Sequence, residues 1–219
     1  GSDAPGMGER LSLGPVAALD RPAENTDTAR RHPGDAELLA FPPADRDTGV
    51  YDVLMRFYAP EAVIRQRADY QVWRDRGLLT VTPGAATDYA FVRDDIIKLA
   101  SKHQVQKLAF DRFLAGQLSL ELSQEGLPVE PFGQGYRSMS DPTKGLMRLI
   151  LDRRIRHGGH DVLRWNASNL VVTQDPAANL KPDKAKAAGK IDGVVALIMA
   201  LGVEMGAHVE PPQVYMVSA

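Results

Sequence analysis

The sequence has no cysteine. That absence excludes disulfides, thiolate zinc sites and cysteine nucleophiles together. Aromatics are sparse, at 6% of residues with two tryptophans, and Trp73 and Trp165 are expected to be packing residues. Neither charge sign dominates, because 26 Lys/Arg against 28 Asp/Glu leave a net charge of −2. No apolar run approaches the ~18–20 residues needed to span a membrane, and no secretory leader is read at the start. The pattern G-x-x-x-x-G-K-[ST] is missing, since Lys144-Gly145 and Gly189-Lys190 lack its spacing, so no P-loop ATPase is expected in this chain. G-x-S-x-G is absent and with it the serine-hydrolase elbow. The five histidines (His32, His103, His157, His160 and His208) do not form H-E-x-x-H. His157 and His160 flank Gly158-Gly159, which reads as a turn with phosphate-facing groups in preference to a zinc pair.

What is present has globular proportions: 219 residues, 44% hydrophobic and 25% charged. That length suits one domain with short tails. The expected division is a tag or linker tail over 1–12, one domain over 13–206, and a C-terminal tail over 207–219. Gly1-Ser2 has the look of a cloning scar, so the chain is expected to be an excised piece of a larger protein.

Strands are expected at 13–20, 36–41, 50–58, 78–81, 105–110, 129–132 and 170–173. Residues 21–35 read as a polar loop. Helices are expected between Pro60 and Gly77, from Asp88 to about Lys102, over 114–125, from a Ser140 cap with Pro142 in the first turn, over 161–169, and over 190–205. Residues 175–189 read as a basic loop or hairpin. The last helix, KIDGVVALIMALGVEM, is apolar nearly all round and hence buried. A strand meander followed by alternating strands and helices predicts an α/β fold with a mixed sheet covered by helices. Residues 144–190 carry ten Lys/Arg and four Asp/Glu, a local +6 that leaves −8 for the rest of the chain. Such a face suits phosphate as well as it suits plain solvation.

Three acids sit where acids are costly. Asp20 ends an apolar strand, Asp111 ends the strand KLAF, and Asp192 lies in the first turn of the most apolar helix. Each has an ordinary role open to it: a turn for Asp20, an N-cap for Asp111, and a dipole complement for Asp192. Meeting at one end of a sheet, they would instead form an oxygen-only site of the kind Mg²⁺ or Mn²⁺ prefers. Two such ions would suit phosphodiester cleavage. Gly133-Gln134-Gly135-Tyr136-Arg137 follows a strand and would let a phosphate backbone approach, and a flexible loop is the other reading.

VYDVLMRFYAPEA, DRGLLTVTPGAATDY, VQKLAFDRF, PFGQGYRSMSDPTKGLMRLILDRRIRHGGHDVLRWNASNLVV, DPAANLKPDK and GKIDGVVALIMALG resemble, in that order, the C-terminal nuclease half of tailed-phage terminase large subunits. The subfamily is the one found in lambdoid-like siphophages and their prophages, and the likeness covers roughly residues 36–202. It implies an RNase H-like (retroviral integrase-type) fold and a Mg²⁺- or Mn²⁺-dependent endonuclease that cuts concatemeric viral DNA with two divalent ions.

The family's three metal-binding acids carry over to Asp111 in AFDR and Asp192 in KIDGVVAL. The first acid falls on Asp20, with Asp27 and Asp35 as fallbacks, because the segment between Asp20 and the next strand is longer than the family pattern. Arg137, Lys181, Lys184 and Lys186 are the candidates for holding the DNA backbone. The implied partners are double-stranded DNA, the ATPase half (absent from this chain), the small terminase subunit and the portal, with no membrane, in the host cytoplasm during phage assembly. The competing readings are a DNA-gripping or portal-docking module that has lost a metal, and another RNase H-like enzyme such as a resolvase or strand transferase.

Overall fold

The computed structural model describes residues 16–20, 35–45, 47–111 and 116–206, and at 16–20, 35 and 38 the description is of the backbone. Both expected tails, the 21–34 loop and Asp27 lie outside the described residues.

Alternation builds the sheet. β3 (Tyr51–Pro60) buries Tyr51, Val53, Met55 and Phe57 on one face, while Asp52, Leu54 and Arg56 stand on the other. β1 (Val16–Asp20), β2 (Asp35–Phe41) and β3 form an antiparallel meander, with Asp20 opposite Ala36 and Ala36 opposite Phe57. β4 (Thr80–Thr82) adds in parallel to β3. β5 (Lys107–Asp111) lies parallel to β1, and β6 (Val129–Phe132) parallel to β5, giving the order β4-β3-β2-β1-β5-β6. β7 (Ile155–Arg156), which the sequence reading missed, pairs with the start of β3.

Between Pro60 and Gly77 two helices form in place of one, α1 (Glu61–Ile64) and α2 (Ala68–Asp75). α3 (Tyr89–Ala100) starts at the expected Asp88, whose carboxylate accepts from the amides of Ala90 and Phe91. α4 (Gln117–Gln124) crosses from β5 to β6. α5 (Tyr136–Leu151) corrects the sequence reading: Gly135 is its N-cap, so the helix begins a turn before Ser140 and carries Pro142 inside it. Ser140 serves instead as a buried acceptor, its hydroxyl taking the Leu180 amide at 3.2 Å. The GQGYR segment is therefore a helix start and not a free loop. α6 (Asp161–Asn169) forms as expected. β8 (Val172–Gln174) and β9 (Leu180–Pro182) make a separate hairpin.

The last helix, α7 (Asp192–Glu204), is buried from Asp192 to Val203. It lies across one sheet face, and two glycines permit the close approach. A Cβ at Gly193 would meet Phe57 Cζ at 2.5 Å, and one at Gly202 would meet Phe132 Cζ at 2.6 Å. α5 and α6 pack beside it. The opposite face is covered by α3 and α4 over Leu39, Leu108 and Phe110.

That second core encloses a polar network. Glu37, 1% exposed, and Asp95 each lie 2.7 Å from the Tyr58 hydroxyl, and Arg56 pairs with Asp95. The phenol has one proton. If it goes to Asp95, Glu37 must supply its own to Tyr58. Burial accordingly raises the Glu37 carboxyl from the usual value near 4.5 to about 7, against the opposing pull of Tyr58 and Arg56. The folded state then holds a proton that the unfolded chain releases near pH 4.5. Stability should fall as pH rises between about 4.5 and 7, with this group contributing up to about 1.4 kcal/mol per pH unit. Urea unfolding across that window should show a shallower fall in Glu37→Gln. An unchanged slope would remove Glu37 as its source.

Candidate metal centre

β1 and β5 run parallel with Ala18 beside Ala109 and Leu19 beside Phe110, so the next residues along the two strands are Asp20 and Asp111. Asp111 is 9% exposed and stands two residues after Ala109, hence on the same sheet face, where Ala109 belongs to the core under α7. α7 packs over β2, β1 and β5 and carries Asp192 in its first turn. The topology thus brings Asp111 and Asp192 to one end of one sheet face, with Asp20 at the adjoining register position. Asp35 starts β2, one residue beyond the pairing of Ala36 with Asp20. Among the described residues no three His, Asp or Glu side chains converge as a metal cage.

Asp192 is 3% exposed, and its Oδ2 is buried without a hydrogen-bond partner. Its Oδ1 lies 3.4 Å from Lys184 Nζ, on a side chain that is 17% exposed. One carboxylate oxygen is therefore held by an ammonium, and the other has nothing. A buried charge in that condition is costly. An oxygen donor that lacks a partner suits a hard divalent ion. The sequence reading placed Lys184 on DNA. The structure turns it inward, because the Asp183 carboxylate accepts the amides of Ala185 and Lys186 and folds the chain back after β9.

The other backbone-holding candidates stay on the surface. Lys181 Nζ stands 5.0 Å from the centre of the Tyr136 ring, and Lys186, 66% exposed, pairs with Asp183 at 3.3 Å. Arg137 is the second residue of α5. Part of the local positive charge is spent internally, since Arg156 pairs with Asp52 and Arg164 with Asp161.

Asn166 was not singled out in the sequence. It is 2% exposed and its Oδ1 accepts the Gly193 amide at 2.9 Å. Ile191 offers no side-chain cap, so Asn166 on α6 caps α7 from outside and fixes where Asp192 sits. The HGGH segment is a turn, with Gly158 and Gly159 at φ 62° and 73° and the His160 amide donating to His157 Nδ1. His160 stacks near Phe57, and burial lowers its pKa. This geometry is not a zinc pair.

A family model described as the terminase large subunit endonuclease domain matches residues 53–207. The chain belongs to that family. The terminase large subunit of Enterobacteria phage HK97 is 40% identical over 197 residues, 87% of this chain and 37% of the relative. Protein YmfN of Escherichia coli is 37% identical over 170 residues, 72% of this chain and again 37% of the relative. The chain thus spans little more than a third of the curated relatives it matches. The crystal structure of the HK97 large terminase superposes with a TM-score of 0.75 at 38% identity, covering 86% of this chain and 39% of that one. The large terminase nuclease of a thermophilic phage superposes at 0.51 with 12% identity, covering 85% and 81%, which speaks to fold alone. The fold of this terminase nuclease domain is RNase H-like, as the resemblance implied.

The Lys184–Asp192 contact makes a measurable claim. Lys184→Met should lower stability in EDTA by about 1–3 kcal/mol, because it leaves a buried carboxylate oxygen without its partner. Saturating Mg²⁺ should restore most of the loss by mass action on the folded state. Thermal melts in the two buffers test this, and equal losses in both would sever the link between Lys184 and a cation site.

Proposed function

We propose that this domain is a divalent-metal-dependent endonuclease that cuts concatemeric phage DNA during genome packaging, with Asp20, Asp111 and Asp192 as the metal-binding acids. The observation that carries the reading is the buried Asp192 carboxylate, with one oxygen unpartnered, on the sheet face and at the strand end that Asp111 shares. The donor set is oxygen-only, which suits Mg²⁺ or Mn²⁺ in one or two sites. When bound, such ions polarise the phosphoryl oxygens and ease deprotonation of water near neutral pH.

The chain's own residues do the positioning. Asp111 and Asp192 hold negative charge where cations and a phosphate must meet. Asn166 keeps the first turn of α7 in place. Lys184 holds Asp192 and puts positive charge beside the site. Arg137, Lys181 and Lys186 are assigned to backbone phosphates, contacts that position DNA without reading its sequence.

The ATPase half, the small terminase subunit and the portal are its proposed partners, and the host cytoplasm during phage assembly its proposed location. No helix among the described residues is long and apolar enough to cross a membrane.

Nicking of supercoiled plasmid in Mg²⁺, Mn²⁺ and EDTA is the direct test. Cleavage should need metal, and Asp111→Asn should abolish it with the fold intact. A folded protein that shifts DNA yet cuts with neither metal would replace this reading with that of a gripping module. Lys181→Ala combined with Lys186→Ala should weaken duplex binding and reduce the log–log salt slope by roughly 2, one for each lost phosphate contact. An unchanged slope would take both lysines out of the interface.

A further inference from the structure

The contact that answers the charge on Asp192 is unlike the acid's counterpart on the other sheet face. There, Asp95 lies 2.7 Å from the Tyr58 hydroxyl and pairs with the planar Arg56 guanidinium. Here, Lys184 Nζ stands 3.4 Å from Asp192 Oδ1, longer than the roughly 2.7–2.9 Å of a charge-assisted hydrogen bond. The attraction is chiefly that of charge for charge, and it ties the ammonium less tightly than a short, directed bond would. Asp192 is buried nonetheless, and the Lys184 side chain is only 17% exposed.

The lysine is mounted so that its side chain can move alone. The Asp183 amide donates to the Val171 carbonyl at 2.8 Å, and the Asp183 carboxylate accepts the amides of Ala185 and Lys186 at 3.1 and 3.2 Å. The backbone on both sides of Lys184 is thus pinned. A lysine carries a compact point charge on a flexible stem, so rotation about that stem takes the ammonium outward with no change of fold. Lys186, two residues on in the same turn, already stands outward and is 66% exposed.

The other oxygen, Asp192 Oδ2, is buried without a hydrogen-bond partner. A divalent ion on it would share one carboxylate with the ammonium. With metal–oxygen distances of roughly 2.0–2.6 Å, the two cations would stand on the order of 5 Å apart. A dication and an ammonium that close, in a site shielded from solvent, repel strongly. The doubly charged ion also gains more than the ammonium from each further acid at that strand end.

We infer that Lys184 is a built-in competitor for the metal: its ammonium neutralises Asp192 until a divalent ion binds, and then swings outward. It keeps the buried acid compatible with folding when no ion is bound, and it weakens the binding of the ion. The inference rests on the metal-site reading of Asp192. It adds that affinity for the ion is set by a neighbouring lysine as well as by the acids.

The test is calorimetric titration with Mn²⁺, without DNA and at fixed ionic strength, of the wild type, Lys184→Met and Lys184→Gln. Both variants should bind the first ion roughly tenfold more tightly than the wild type, because the opposing charge is gone. Equal affinity would mean that ammonium and ion share the carboxylate. Weaker binding would mean that Lys184 only holds Asp192 in place. Either result overturns the inference. Should the variants fail to fold by circular dichroism, a measurement on the wild type decides. Amine acylation read by peptide mass spectrometry should label Lys184 several-fold more in Mn²⁺ than in EDTA, relative to Lys186. An unchanged ratio would also overturn the inference. Failure of the metal reading itself has a different signature: neither the wild type nor the variants would bind Mn²⁺, and plasmid cleavage would be absent or indifferent to EDTA. That outcome takes the inference with it.

Discussion

A carboxylate held in the first turn of an almost wholly buried helix is the constraint around which the domain is organised. Burying a helix such as α7 is favourable because every side chain from Val194 to Val203 is apolar or small. Burying Asp192 with it is not, unless charge is supplied from elsewhere. Every neighbour of that position can be read as an answer. Gly193 lets Phe57 approach so that the turn lies flat on the sheet. Asn166 supplies the hydrogen bond that the helix start lacks. Lys184 reaches back from beyond the hairpin to put an ammonium on one oxygen. The remaining oxygen is left for a ligand.

This arrangement explains why the β8–β9 hairpin, which is outside the main sheet, is tied so firmly to it. The Leu180 amide bonds to Ser140 in α5, and the Asp183 amide to the Val171 carbonyl. Those bonds fix the starting point of the turn that aims Lys184. A lysine side chain loses up to about 2 kcal/mol of rotamer freedom when immobilised, so an ordered ammonium at Asp192 implies a rigid base from which it extends. The positive charge of residues 144–190 therefore divides. Part of it, in Lys184, Arg156 and Arg164, answers acids of the domain itself, while Arg137 is exposed on α5 and Lys181 stands over the Tyr136 ring.

Much of this was legible in the sequence, and the failures have physical causes. Asp111 and Asp192 could be picked out because an acid at the end of an apolar strand, or at the head of an apolar helix, departs from the local pattern. Lys184 was read as facing DNA because a lysine in a basic loop looks solvated, and nothing in its neighbours reveals the turn that brings it to Asp192. Asn166 carried no signal, because a cap supplied by a different helix leaves no local spacing to read. The start of α5 was placed late because Ser140 and Pro142 imitate a helix beginning. Gly135 is the true start, and the helix tolerates a proline where its ring packs near Gly202. The Glu37–Tyr58–Asp95 network was invisible for the same reason as Asn166, since its members come from β2, β3 and α3.

The two faces of the sheet also handle buried acid differently, and the difference bears on function. On the α3 side, Glu37 is satisfied within the protein, by a phenol and by a proton of its own at moderate pH. That solution is closed and leaves no site. On the α7 side, Asp192 is answered by a cation that covers one oxygen, a solution that leaves coordination open and charge exchangeable. α6 packs on this second side, capping α7 through Asn166 and setting Trp165 against Trp73 and Tyr70. A displacement of α6 would therefore disturb the placement of Asp192 and this aromatic packing together. Packing the core on this side and placing the acid at the head of α7 are, in this fold, one structural problem.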